Sequence, residues 1–580
     1  MSNRKILARG LALGGLVSLV PSLAWAATYR VGPTRTYQTL DELDGMLAAG
    51  DRVEVDGDHT YPGGIVLADS GAVGDPITIV GLRVNGRRPV LSGGTNAIEL
   101  QGDHVVLEGF DITDGSFRCV FHHAHDVTIR DSVVHDCPQH GILGADEDSG
   151  SLLLEYVEVH HAGDGTYDHS IYMATDETAH PGSVFRMQHC WVHDTNGGNA
   201  VKSRAERNEI YYNWIEGALY HELELIGPDG QDPDLAREHS DIVGNVLYKR
   251  NTFPVARFGG DGTGETRGRY RFVHNTVIQQ AGGSAVFRLF DGIESLEAHG
   301  NAFYVEGGGS AILVREVEAD WVGGGSAIFG SHNWVTPSHT AIPDTWTDTV
   351  VGTDPAFVDL AAHDLTPSAA SPLRGAGIAA PASPAGHPFP QPLASPLFHP
   401  PGRTVEAPGT AQPRPSDGAP DVGAREHDDG SGGGTSSGGT SSGGASSGGA
   451  SSGGTSSGGA SSGGTSSGGT SSGGTSSGGA SSGGASSGGA PSGGTSSGGA
   501  PSGGASSGGA PSGGTAGAGA VGADAGGGAA ASAGGASADE GGCACRVPAA
   551  SGPPRGGLLA LVCGLGLARR TGRRAVRPPR

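Results

Sequence analysis

Tyr172, Lys202, Glu224, Arg257, Arg288 and Arg315 stand at the same place in six successive copies of one short phrase: HSIYM (His169 to Met173), NAVKS (Asn199 to Ser203), HELELI (His221 to Ile226), PVARF (Pro254 to Phe258), AVFRLF (Ala285 to Phe290) and AILVR (Ala311 to Arg315). Each phrase alternates apolar and polar residues, the period of a strand with one buried face. With Ile171, Val201 and Leu223 pointing inward, alternation sends Ser170 and Tyr172, Ala200 and Lys202, and Glu222 and Glu224 outward. From Pro254 onward the frame can be set two ways; with Ala256, Phe287 and Val314 inward, Arg257, Arg288 and Arg315 continue the outer column.

Neighbouring strands lie about 4.8 Å apart, so the line from Tyr172 to Arg288 spans roughly 20 Å, the length of a few sugar residues. A phenol, an amine, a carboxylate and guanidinium groups in one line suit β-elimination from a uronate polymer. That reaction needs a group to neutralise the carboxylate, a base for the C5 proton and an acid for the leaving oxygen. On this reading Lys202 is the base, Arg257 the carboxylate clamp and Tyr172 or His169 the acid, with Arg288 and Arg315 holding the polymer. The loops GDGTYDH (Gly163 to His169) and HDTNGGN (His193 to Asn199) add Asp168 and Asn196 as substrate-binding candidates. Glu222 and Glu224, with Asn199, could hold a Ca²⁺ that bridges to the substrate carboxylate, since hard oxygen ligands suit that ion. The plainer reading of the same column is a salt-bridge ladder between stacked strands, worth little per pair at a surface.

What must position these residues is a repeat. A second phrase returns about every 22–33 residues between Val105 and Phe303: VVLEGFDI, VTIRDSVV, LLLEYVEV, VFRMQHCWV, NEIYYNWI, SDIVGNVL, RFVHNTVI and LEAHGNAF. A repeat of that size marks a stacked solenoid, with two or three short strands per turn. No LxxLxL frame is present, which argues against a leucine-rich horseshoe, and no helix-turn-helix period appears. Three residues after the first buried position of each copy come Phe110, Ser132, Val157, Cys190, Asn213, Asn245, Asn275 and Asn301. Four Asn in register predict a stacked ladder at a turn, where side-chain amides satisfy backbone groups that a sharp corner leaves unpaired.

This combination resembles the right-handed parallel β-helix of the pectate-lyase-like superfamily. The stretch Ala49 to Gly81 is similar to the opening coil and cap of such proteins, and Asp354 to Gly377 with Pro420 to Glu426 to their ending. A cap matters because an open solenoid end leaves strand edges ready to pair with other chains. In that superfamily the substrate groove runs over the outer face of the strand that carries the Lys202 phrase.

The segment NAVKSRAERNEIYYNWIEG (Asn199 to Gly217) resembles the Lys-Ser strand and Asn turn of polysaccharide lyases of the chondroitinase B and alginate lyase type. The resemblance implies Lys202 as base. The acidic calcium ligands of those enzymes fall here near Thr195 and Gly197, and their Arg near Leu225, so only Lys202 and Ser203 carry over. TYDHSIY (Thr166 to Tyr172) is similar to the Tyr-Asp-His strand of mannuronan epimerases, whose chemistry starts with the same proton abstraction. A polygalacturonase-type hydrolase would draw on Asp164, Asp168 and Asp194, but the NTD, DD and RIK signatures of that family are absent.

Three further groups carry potential chemistry. His135, His160 and His193 recur in Val-His-Asp and Val-His-His triplets and should stack, as a structural column or a transition-metal site. The loop Asp229 to Asp234 is acidic, a solvated loop or a Ca²⁺ site. Cys119 and Cys137 sit on neighbouring coils and could pair after export, whereas Cys190 falls at a ladder position and should be buried.

The ends of the chain speak to compartment. Arg4, Lys5 and Arg9 precede an apolar run from Leu11 to Leu23, and Ala24-Trp25-Ala26 supplies a cleavage site, so residues 1–26 read as a signal peptide. Residues 27–427 form the β-helix domain. Residues 428–541 collapse into TSSGG, ASSGG and APSGG pentads, which have nothing to bury and read as a flexible tether with an r.m.s. span of roughly 60 Å. Residues 542–580 combine Cys543 and Cys545, an apolar run from Gly557 to Ala568 and a basic end. That run is short of the ~20 residues a spanning helix needs. The arrangement resembles the MYXO-CTERM sorting tail, which implies processing near Cys543 or Cys545 by a sorting protease and retention at the cell surface, with the membrane met only through that processing. The net charge of −24, with no basic face in the core, argues against nucleic acid as a partner.

The sequence thus predicts an all-β, surface-tethered, right-handed parallel β-helix, acting as a monomer, whose outer groove engages an acidic polysaccharide. It is read as a lyase or epimerase, or as a non-catalytic glycan-binding or adhesive protein.

Overall fold

The computed structural model describes residues 26–227, 239–260, 266–280, 283–290, 292–317, 321–322, 324–415 and 418–428. Residues 1–25 of the predicted signal peptide, the acidic loop Asp229 to Asp234, the Gly/Ser-rich segment and the tail with Cys543 and Cys545 lie outside the described residues.

Three parallel sheets of 13, 12 and 11 strands run the length of the domain, and successive strands visit the first, second and third sheet in turn. The coil of Lys202, for example, passes through Val184–Gln188, Trp191–His193 and Val201–Arg204 before Arg207–Tyr211 begins the next. This is the right-handed parallel β-helix that the repeats predict. Among the described residues the only helical turns are Asp41–Leu43 and Glu306–Gly308, and no helix is long and apolar enough to cross a membrane.

Alternation sorts each strand into an inward and an outward row. Inside, Ile129, Leu154, Met187, Ile210, Ile242 and Phe272 stack in the first sheet, and Ile142, Ile171, Val201, Leu223, Ala256, Phe287 and Val314 in the third. All are buried in one continuous core. A one-residue slip in any coil would turn its whole apolar set outward, so burial itself fixes the register.

The corner between the first and second sheets is turned through a residue in the left-handed region. Asp131, Tyr156, His189, Tyr212, His274 and His332 adopt positive φ there, as do Gly109, Gly244 and Gly300. The residue that follows supplies the ladder. Asn213 Nδ2 donates to Asn245 Oδ1 (3.0 Å), Asn245 to Asn275 (2.9 Å), Asn275 to Asn301 (3.2 Å) and Asn301 to Asn333 (3.0 Å). Each rung also accepts a backbone N–H from the coil before it. The column extends the four predicted Asn by one, and the Cys190 N–H continues it onto Asn213. Cys190 is buried, and Cys119 and Cys137 form a disulfide.

The closing stretch does more than end the stack. Residues 357–428 fold back along the solenoid. Leu393, Ala394 and Phe398 pack on Tyr211, Tyr212, Val243 and Val273 of the first sheet's outer face. Leu365, Leu373, Val422 and Ala424 pack on Trp214, Val246, Ile278, Ala302 and Trp334 of the second. Where the segment covers these two sheets it meets charged groups as well: Arg271 Nη2 donates to the Gln391 and Pro392 carbonyls, and Arg403 pairs with Glu216. The third sheet presents a polar row, and none of its residues enters these apolar clusters with the segment.

Candidate active site on the third sheet

Strand pairing places the sequence-predicted column in register. Tyr172 lies opposite Lys202, Lys202 opposite Glu224, Glu224 opposite Arg257, Arg257 opposite Arg288, and Arg288 opposite Arg315. The row continues the other way through Leu143 and Phe121. Exposure is lowest in the middle of the row: Lys202, Glu224 and Arg257 are buried, Tyr172 and Arg288 half-buried, and Arg315 exposed.

The contacts set the charges. Lys202 Nζ lies 4.9 Å from the centre of the Tyr172 ring and 3.8 Å from Glu224 Oε2. Arg257 Nη1 meets Glu224 Oε1 at 2.6 Å, so the predicted carboxylate clamp is itself held by a carboxylate. Burial works against the charge on Glu224, but Lys202 and Arg257 outweigh it and hold the carboxyl well below its usual range. The Phe290 ring lies 4.0 Å beneath the Arg257 guanidinium and 4.8 Å from that of Arg288, a shared cation–π platform that orients both.

His169 and Asn199 belong to a second ladder, at the entrance to the third sheet. His140 Nδ1 accepts the His169 backbone N–H (2.9 Å), His169 Nδ1 accepts that of Asn199 (2.9 Å), and Asn199 Oδ1 accepts that of His221 (2.9 Å). Burial, with Lys202 nearby, pushes the His169 imidazole well below its usual range, so it is neutral with its proton on Nε2. Of the two acid candidates, Tyr172 is half-buried on the outward row, whereas His169 is buried. Asn199 Nδ2 donates to Glu224 Oε2 at 2.5 Å, and its oxygen is taken by His221.

The candidate calcium ligands do not converge. Glu222 lies at the corner with the second sheet, fully buried against Lys249 with Nζ at 3.0 Å. Burial pushes its carboxyl up to about 7, against the pull of Lys249. Glu224 faces the groove and answers to Lys202 and Arg257. Each carboxylate has its own cation, and Asn199 turns an amide N–H rather than its oxygen toward Glu224. Glu222, Glu224 and Asn199 as arranged do not fit a shared Ca²⁺.

The loop candidates stand aside from the column. Asn196 is exposed and donates to the His161 carbonyl at 2.9 Å. Burial raises the Asp168 carboxyl, against a hydrogen bond from the Asp164 backbone. On the second sheet His135, His160 and His193 do stack, with ring centres 4.9 and 5.0 Å apart. Asp111 and Asp136 bracket His135, and Glu158 and Asp194 bracket His193. Among the described residues no group of three or more His, Cys, Asp or Glu is arranged to hold a metal ion.

Two groups at the site were missed in the sequence. Arg204 Nε donates to Tyr172 Oη at 2.9 Å; counting two residues on from Lys202 would have found it. Arg118 lies between the rings of Phe117 (4.3 Å) and Phe121 (4.2 Å), two coils before Tyr172. Aromatic residues flanking a cation were the available signal.

No family model and no curated protein matches this chain. Among solved structures it is similar to the alginate lyase from Paenibacillus sp. str. FPU-7, at 15% identity over 54% of this chain and 99% of that one, with a TM-score of 0.34. It is also similar to the pectate lyase Pel9A, at 11% identity over 70% and 98% with a TM-score of 0.36, and to the PL6 family alginate lyase AlyGC, at 11% over 55% and 53% with a TM-score of 0.29. At these identities and scores they assign no activity to this chain.

Proposed function

We propose that the outer face of the third sheet is a groove for an acidic polysaccharide, and that it acts on a uronate unit by proton abstraction, as a lyase or an epimerase. The observation that carries this reading is the in-register row from Tyr172 to Arg315. It sets a phenol and an amine side by side and follows them with guanidinium groups that grow more exposed along one direction. Arg288 and Arg315 are the groups to meet the polymer carboxylates, since Arg257 is engaged by Glu224. Tyr172 and Lys202 handle the proton, and the polymer runs along the row toward Leu143 and Phe121. The chain is exported and works as a monomer at the cell surface, its tail processed near Cys543 or Cys545 by a sorting protease.

A second reading, a non-catalytic glycan-binding or adhesive protein, is favoured by one observation. Lys202, Glu224 and Arg257 already satisfy one another as a buried charge cluster. Incubating the secreted domain with alginate, pectate and glycosaminoglycans separates the two. The lyase reading expects unsaturated-uronate absorbance from at least one polymer. Binding without any such product, and without epimerised residues, would leave the adhesive reading.

A further inference from the structure

Before Tyr172 the outward row of the third sheet changes character. Leu143 stands opposite Tyr172, Phe121 opposite Leu143, and Glu99 opposite Phe121. Leu143 and Phe121 are half-buried, and Phe117, one residue before the strand Arg118–His122, is 39% exposed. The Arg118 guanidinium lies 4.3 Å from the centre of the Phe117 ring and 4.2 Å from that of Phe121, so the two rings flank one cation that orients both. The His123 ring meets Phe121 edge-on, with centres 3.9 Å apart. The backbone under Phe117 is bonded to the coils on both sides, its N–H to the Thr95 carbonyl and its carbonyl to the Gln139 N–H, each at 2.9 Å. The aromatic pair is therefore built into the stack of coils.

Charge changes along the row as well. At one end stands the exposed Arg315. At the other, the Glu99 carboxylate accepts from the Gln101 amide (2.7 Å) and the Asn96 amide (3.0 Å), both neutral donors. Arg118 and Glu99 are opposite in sign, so this end carries no surplus of positive charge, and any acidic partner of Arg118 subtracts further from it. A flat ring matches the C–H face of a pyranose, and such stacking is worth up to roughly tenfold in affinity. A second carboxylate about 6 Å from Glu99 in water takes back roughly threefold. Stacking thus wins even for a uronate, and by more for an uncharged sugar.

We propose that Phe117 and Phe121 form a stacking subsite for a sugar ring of the polymer, two coils before Tyr172, and that Glu99 beside it favours an uncharged pyranose over a uronate. This rests on the groove reading above. Two coils are roughly 10 Å, about two sugar units, so the subsite takes the second unit beyond the one at Tyr172 and Lys202. The groove then suits a chain in which uronates, drawn to the Arg315 end, share the backbone with uncharged sugars at the aromatic end.

The test is a calorimetric titration of the secreted domain, at low salt, with alginate and pectate oligosaccharides of about five and about eight units. Only the longer ones span the row from Arg315 to Phe121, seven coil spacings or roughly 34 Å. The wild-type domain should bind the longer oligomer at least about threefold more tightly than the shorter. Phe117→Leu, which keeps apolar bulk without a flat face, should lose that gain, and Phe117→Trp should keep it. Glu99→Gln should raise the gain toward about tenfold, and Arg315→Ala should weaken binding of both lengths. No gain with length in the wild type, or a gain that survives Phe117→Leu, overturns the subsite, while binding that still depends on Arg315 leaves the groove reading standing. A gain unmoved by Glu99→Gln overturns the preference for an uncharged unit. A wild-type domain that binds neither length overturns the groove reading and the subsite with it.

Discussion

Lys202 and Glu224 are partners across adjacent coils, Nζ to Oε2 at 3.8 Å, and Arg257 closes on the same carboxylate from the next coil at 2.6 Å. One acidic side chain therefore holds two cations of the row in place, and the geometry at Tyr172 depends on it.

Glu224→Gln should cost roughly 3 kcal/mol of stability at neutral pH, because it strands two buried cations. The carboxyl is held below its ordinary value of 4.5, so its contribution is full above about that pH and is lost as pH falls through the folded value. Urea melts of the two proteins should accordingly converge under acid conditions. A constant gap from neutral pH down to strong acid would show that Glu224 is not held as a charged partner.

Glu222 and Lys249 form a fully buried pair whose members are pushed toward neutrality from both sides, Glu222 up and Lys249 down, burial being the main cause in each. Lys249→Met alone should destabilise by roughly 3–5 kcal/mol, whereas Glu222→Gln with Lys249→Met should recover most of that loss. Additive losses in the double variant would mean that the two side chains act independently.

On the second sheet, the hydrogen bond that His135 donates to Asp111, aided by Asp136, outweighs burial and raises the His135 imidazole to about 9. A raised value means that His135 adds stability fully below its ordinary 6.5, which is lost as pH rises through about 9. Asp111→Asn should lower the His135 titration seen by NMR and reduce stability at pH values below that window more than above it. An unchanged His135 titration would remove Asp111 as its partner.

In the Asn ladder, Asn275→Ala removes an acceptor for both the Asn245 backbone N–H and the Asn245 amide. Leaving these buried donors unpaired should cost roughly 2–4 kcal/mol. Asn196→Ala, at an exposed turn, should stay within about 0.5 kcal/mol. Equal effects in thermal melts would contradict a structural role for the ladder.

The stack of coils was legible because one physical rule, alternation with a buried row, repeats in every turn. It places Tyr172, Lys202 and Glu224 on one line, and Arg257, Arg288 and Arg315 join them only in the one of two frames that turns Ala256, Phe287 and Val314 inward. Glu222 also follows outward parity, but it precedes the strand Leu223–Leu225 and sits at a corner, where parity no longer fixes direction and Lys249 from another sheet captures it. His169 and Asn199 look like chemistry in sequence because His and Asn serve catalysis and backbone satisfaction equally well. Only the coil-to-coil hydrogen bonds tell the two apart. The fold-back of residues 357–428 rests on pairings such as Tyr212 Oη with the Ser395 carbonyl, 183 residues apart, and carries no periodic signal.

Turnover and binding of an acidic polymer by the secreted domain and its Lys202→Ala variant test the central claim most directly, that the third-sheet row is a working site. The account predicts an unsaturated product from the wild-type protein and at least about a 100-fold lower rate from Lys202→Ala, with the affinity for the polymer largely kept. A wild-type domain that binds the polymer and never yields product, or a Lys202→Ala variant that turns over as fast as wild type, would contradict it.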